Sequence, residues 1–228
     1  MMKKILFSFV FLLLSLPVLA ETTQPVSQKH LDELQSLIDM MQKPFSPKRV
    51  LVQVGENKTY KIVEENYEQV FDLIAFSENP TFTPWLRRNI GEYSPYFLYA
   101  MALRRSREKA TIQEVFFWLT AAKLRIGADS ALCVDENVKM YFRILNDEYE
   151  MRILEPYKGT AEAIAFDKNP IPILREAVEW DLAAIQKNSP DWFCKSGYAT
   201  ATTNAYPQNE WDQRRNEFKK NYTAPLYQ

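Results

Sequence analysis

Apolar residues recur at helical spacing along most of the chain, and that recurrence lays out its elements. Leu31, Leu34, Ile38 and Met41 mark one face of a first helix, with Ser27 at the N-cap position and Pro44 and Pro47 ending it. The period then changes. Val50-Leu51-Val52-Gln53-Val54 and Thr59-Tyr60-Lys61-Ile62-Val63 flank a polar Gly55-Glu56-Asn57-Lys58 segment, which predicts a β-hairpin. Helical spacing returns with Tyr67, Val70, Phe71 and Ile74 and stops before Pro80. Residues 80–91 hold two prolines, Pro80 and Pro84, and a short turn of Trp85-Leu86-Arg87-Arg88. Pro95 stands where a first-turn proline opens a helix running to about Arg107.

From Thr111 to Ile126 the apolar residues lie nearly all round, which predicts a helix covered by neighbours on most sides. Asp135 is placed to cap a helix with Val138, Tyr141, Phe142, Leu145 and Tyr149 on one stripe. After Pro170 and Pro172, the residues Ile171, Leu174, Val178, Leu182 and Ile185 predict the inner face of the last long helix. Residues 188–208 read as loop and Trp211 to Lys220 as a short terminal helix. No polar linker divides the chain. The expected fold is mainly α: a single helical domain over 28–228, built by antiparallel helix packing, with one small β-hairpin near 50–63.

The first twenty residues follow a different pattern. Met1-Met2-Lys3-Lys4 is a positive n-region, Ile5 to Leu16 is apolar apart from Ser8 and Ser15, and Pro17 precedes Val18-Leu19-Ala20. That is a signal peptide, with cleavage expected after Ala20, followed by a loose polar leader over 21–27. The apolar stretch is short for a bilayer core of roughly 30 Å, and no later stretch is longer. The expected location is therefore the periplasm, with secretion as the alternative and no stable membrane insertion after cleavage. Cys133 and Cys194 then meet an oxidising compartment, and one disulfide is their simplest pairing.

Composition narrows the function classes. With 28 Lys+Arg against 29 Asp+Glu, the chain has no basic excess to neutralise phosphates, so nucleic acid is not an expected partner. A single histidine, His30, removes His-based zinc sites and serine or cysteine triads. No GxGxxG, Walker loop, G-x-S-x-G or H-E-x-x-H occurs, so no catalytic residue, cofactor or metal is assigned. Carboxylate chemistry survives, because it needs only two acids across a cleft. Candidates lie among Asp147, Glu148, Glu150, Glu176, Glu179 and Asp181. Asp181 falls on the apolar side of its helix, where burial would make it a general acid or a basic partner would neutralise it.

Between Tyr99 and Ala131 the residues Tyr99, Ala100, Ala102, Leu103, Trp118, Ala121, Ala122, Gly127 and Ala131 are spaced as in a helix pair. This stretch resembles a single Sel1-like or tetratricopeptide unit. The inter-helix loop, Arg104 to Lys109, lacks the glycines of those families, and no second copy follows. The resemblance implies a protein-binding scaffold. Aromatic residues concentrate over 82–99, and Trp, Tyr and Arg dominate interface hot spots. We therefore place the partner site at Trp85, Arg87, Arg88 and Tyr93, with Tyr222 to Tyr227 as a second surface. The expected function is binding of another protein in the envelope, as an immunity-type or accessory protein. A carboxylate-dependent hydrolase of cell-wall or sugar substrates and a small-ligand carrier are the alternatives.

Overall fold

The structure, a computed structural model, describes residues 26–42, 50–54, 59–63, 65–184, 186, 188–194 and 205–227, with 50–54, 59–63, 65–67, 136–141 and 144 described in their backbone only. The expected signal peptide over 1–20 and the expected leader up to residue 25 lie outside the described residues. The chain is mainly helical. Its helices are α1 (Gln28–Gln42), α2 (Glu65–Phe76), α3 (Phe82–Asn89), α4 (Tyr96–Arg107), α5 (Ile112–Ser130), α6 (Glu136–Leu154), α7 (Ala161–Asp167), α8 (Ile171–Ala183), α9 (Asp191–Cys194) and α10 (Trp211–Thr223). Strands β1 (Val50–Val54) and β2 (Thr59–Val63) pair antiparallel, Val50 opposite Val63 and Val54 opposite Thr59. The turn read at 55–58 lies outside the described residues.

Helices α4 and α5 form the centre. Phe97 to Ala102 are all fully buried, because α4 packs against α2 on one side and α5 on another. Helix α5 in turn touches α4, α6, α8 and α10, so its apolar residues need partners all round. Thr111 caps it, its Oγ1 accepting from the Glu114 backbone N–H at 3.3 Å. The helix runs four residues past Ile126, through Gly127, Ala128, Asp129 and Ser130, all buried. Gly127 is required there by close approach, since a Cβ would overlap the Phe218 ring of α10.

Two sequence-based assignments are corrected. The turn at 80–91 is largely helix α3, because Pro84 falls in the first turn, where its missing N–H has no intrahelical partner to lose. The inner face of α8 is also rotated from the expected stripe. Leu182 is 59% and Ile171 36% exposed, whereas Ala177, Val178 and Asp181 are buried. An acid occupies a core position because two cations meet it there, and Ile185 lies outside the described residues.

Buried polar groups fix the ends of the shorter helices. Arg104 of α4, 3% exposed, donates to the carbonyls of Ile74 (3.1 Å), Ser77 (2.6 Å) and Asn79 (3.0 Å). These include orphan carbonyls at the α2 C-terminus. Asn79 donates to the His30 carbonyl at 2.9 Å and to Glu33 at 3.0 Å, tying α1 to the α2–α3 turn. Beneath them Tyr99 and Tyr149 stack at 4.9 Å, and Tyr149 shares a 2.7 Å hydroxyl hydrogen bond with Tyr96. Burial pushes the Tyr149 hydroxyl up to about 12, against the pull of the Tyr96 bond.

Candidate functional site

An open cleft of about 480 Å³ lies where α3, α5 and α8 meet. Its lower wall is aromatic: Phe117 and Trp118 from α5, and Trp180 from α8. Their rings stand steeply to one another, Phe117 to Trp118 at 88°, Trp118 to Trp180 at 80° and Phe117 to Trp180 at 65°. The centroid separations are 4.9, 5.5 and 5.7 Å. Trp180 has room because Gly91 faces it: a Cβ at Gly91 would lie 3.1 Å from Trp180 Cζ2. From the core, the Arg125 guanidinium sits 5.0 Å from the Trp180 ring centroid.

The rim is polar. Glu114 accepts from Arg105 Nε at 2.7 Å and Arg105 Nη2 at 2.8 Å, a bidentate pair, and from Arg87. Burial would raise the Glu114 carboxyl, but the two guanidinium groups outweigh it and hold the group below the usual glutamate range. Glu176 stands one turn ahead of Trp180 on α8 and, among the described residues, has no ion-pair partner. A second, more apolar groove of about 500 Å³ lies between α5, α6 and α7, lined by Ile112, Phe116, Met151, Leu154 and Ala163.

Behind the cleft lies a buried charged set. Asp181 receives Arg125 Nε at 2.6 Å and stands 2.6 Å from Lys219 Nζ of α10. One turn along α5, Asp129 accepts from Arg215 Nη2 (2.8 Å), Gln186 (2.7 Å), Asn188 (2.7 Å) and the Trp192 indole (2.8 Å). Burial pushes the Asp129 carboxyl up, opposed by Arg215 and by the donors from Trp192 and Asn188. The cationic excess is spread over carbonyls: Arg125 donates to Gly91 and Ala184, and Arg215 to Gln186 and Asn188. Cys133 and Cys194 lie at disulfide distance, 2.08 Å between sulfurs, and join the end of α5 to α9.

The sequence-based candidates separate. Trp85 and Tyr93 come together, ring centroids 5.8 Å apart and both half-buried. Burial raises the Tyr93 hydroxyl, against a hydrogen bond with Gln42. Arg88 is exposed on α3, one turn from Trp85. Arg87 points instead to Glu114, at the rim of the cleft. Tyr227 of the C-terminal segment packs by its ring 5.3 Å from Arg175, which donates to the Leu226 carbonyl at 2.6 Å.

No protein-family model, curated protein or solved structure matches this chain. The site therefore rests on its own geometry. Sequence reasoning overlooked Phe117, Trp118 and Trp180, whose helical spacing is that of any core face, and the partners of Asp181, which stand 56 residues before it and 38 after it. One signal was present: Arg125 and Asp129 stand four residues apart on one side of α5, and Cys133 follows three residues past its end.

Proposed function

We propose that the protein is exported to the bacterial periplasm and acts there by binding another protein, as a single helical domain without chemistry of its own. The observation that carries this reading is the α3 platform. Trp85 and Tyr93 form a half-exposed aromatic pair, with Arg88 exposed one turn away. The platform is seated by the buried Phe82, Leu86 and Ile90. Such a rigid aromatic–arginine patch is the composition that dominates interface energetics. Neutralising a toxin delivered into the envelope is one concrete form of this role.

Other observations lend support. A cysteine pair at disulfide distance suits an oxidising compartment, and among the described residues no helix is long and apolar enough to cross a membrane. The α4–α5 pair, which resembles a Sel1-like unit in sequence, is taken as the scaffold that carries α3. The hydrolase reading loses support from Asp181, which is 1% exposed and faces Arg125 and Lys219. Glu114, held ionised by two arginines, is a poor proton donor.

The test is capture on the tagged mature chain, Glu21 to Gln228, from its own cell envelope. One partner in near-equal amount is expected, lost with Trp85→Ala and Arg88→Glu while thermal stability is kept. Retention of that partner by both variants overturns the assignment to α3, and hydrolysis of cell-wall glycan by the mature chain overturns the non-enzymatic reading.

A further inference from the structure

We infer that the cleft between α5 and α8 binds a small alkylated ammonium ion, of the quaternary ammonium class, in the corner formed by Phe117, Trp118 and Trp180 with Glu176 as its counter-charge. The inference stands apart from the α3 platform and goes beyond protein binding.

Aromatic faces are negative and their edges positive, so a cation is attracted to a ring face within about 6 Å of its centroid. The three rings meet edge to face at 88°, 80° and 65°, so the walls they give the cleft are not parallel; Phe117 and Trp180 are half-buried there and Trp118 is 5% exposed. A flat guest meets one wall of such a corner; a rounded alkylated cation meets several. Trp180 already accepts a guanidinium, that of Arg125, at 5.0 Å from the core side, where Arg125 shares Asp181 with Lys219 and donates to the Gly91 and Ala184 carbonyls.

Charge decides the sign of the guest. Among the ionisable residues of the lining, Arg87 and Glu114 meet each other, and Glu114 is further met by Arg105. Glu176 is the remaining charge, and it shares a face of α8 with Trp180 at four-residue spacing. The unmet charge of the cleft is therefore negative, which disfavours phosphates and carboxylates and favours a cation. A primary ammonium is strongly hydrated and carries three donors. Alkyl groups on nitrogen weaken that hydration and present surface that suits aromatic walls. Ile173 completes the apolar side.

The experiment titrates the mature chain at constant ionic strength with choline chloride and, separately, with 3,3-dimethylbutan-1-ol, its uncharged carbon counterpart. Tryptophan emission and calorimetry are the readouts. Saturable choline binding is expected with Kd on the order of 1 mM or tighter, and binding of the alcohol at least about tenfold weaker. Glu176→Gln, a change at an exposed position, is expected to weaken choline about threefold. Trp85→Phe is expected to leave it unchanged, which separates this cleft from the α3 platform. Equal binding of the alcohol, no binding of either probe, or loss of the response with Trp85→Phe overturns the inference. An unchanged choline affinity in Glu176→Gln also overturns it.

Discussion

Two sets of arginine–carboxylate pairs hold this molecule, one buried between α5, α8 and α10, the other half-exposed where α3, α4 and α5 meet. In the buried set, Asp129 and Asp181 face Arg125, Arg215 and Lys219, all no more than 8% exposed in their side chains. In the outer set, Glu114 and Glu108 face Arg87 and Arg105 with side chains 15–47% exposed. The chemistry is alike and the carboxylates respond in opposite directions. Burial dominates at Asp129 and raises it; at Glu114, two guanidinium groups overcome burial and lower it. Pairing alone therefore does not say what an ion pair contributes. The cost of removing water from both partners decides it.

Removal of one buried partner should have the largest effect. Asp181→Ala leaves Arg125 and Lys219 facing each other without an acid, and should destabilise the fold by about 3–5 kcal/mol in urea unfolding. Loss of the covalent tie, Cys133→Ser with Cys194→Ser, should cost about 4 kcal/mol on the loop-entropy argument for a separation of 61 residues. Gly127→Ala tests the α5–α10 approach that closes the buried set, and should cost about 1–3 kcal/mol as Phe218 is pushed aside. Glu114→Gln should cost no more than about 1 kcal/mol, because water replaces part of what the arginines lose.

The smallest effect is the most direct contrast. Glu114 sits below its ordinary range when folded, so its stabilisation is present above that range and is lost as pH falls through the folded value. Asp129 sits above its ordinary range, so its contribution is favourable at low pH and is lost as pH rises through the folded value. Carboxyl carbon NMR titration should show Asp129 above, and Glu114 below, their unfolded counterparts. Both moving the same way would remove the distinction between the two sets.

What the sequence made legible follows the same line. Helices α2, α4 and α5 could be read because apolar burial leaves a local periodic trace, as at Val70, Phe71 and Ile74. Helix α8 was rotated in our reading because Asp181 takes a core position on the strength of partners far away in the chain. Helix α3 was hidden by Pro84, which is tolerated in a first turn. Trp85 and Tyr93 could be grouped from composition, whereas the direction of Arg87 depends on Glu114, 27 residues on. The aromatic corner was out of reach because no local pattern reports the angle between rings on two helices.

The nearness of Asp129, in the last turn of α5, to Cys133, three residues past its end, bears on the order of events in disulfide formation. The polar bonds from Gln186, Asn188 and Trp192 to Asp129 draw in the segment that carries Cys194. A folded chain with reduced thiols would already hold them side by side, so an oxidant would meet an assembled pair. Bridge formation would then proceed at the pace of the oxidant rather than of a chain search, sealing a conformation chosen beforehand.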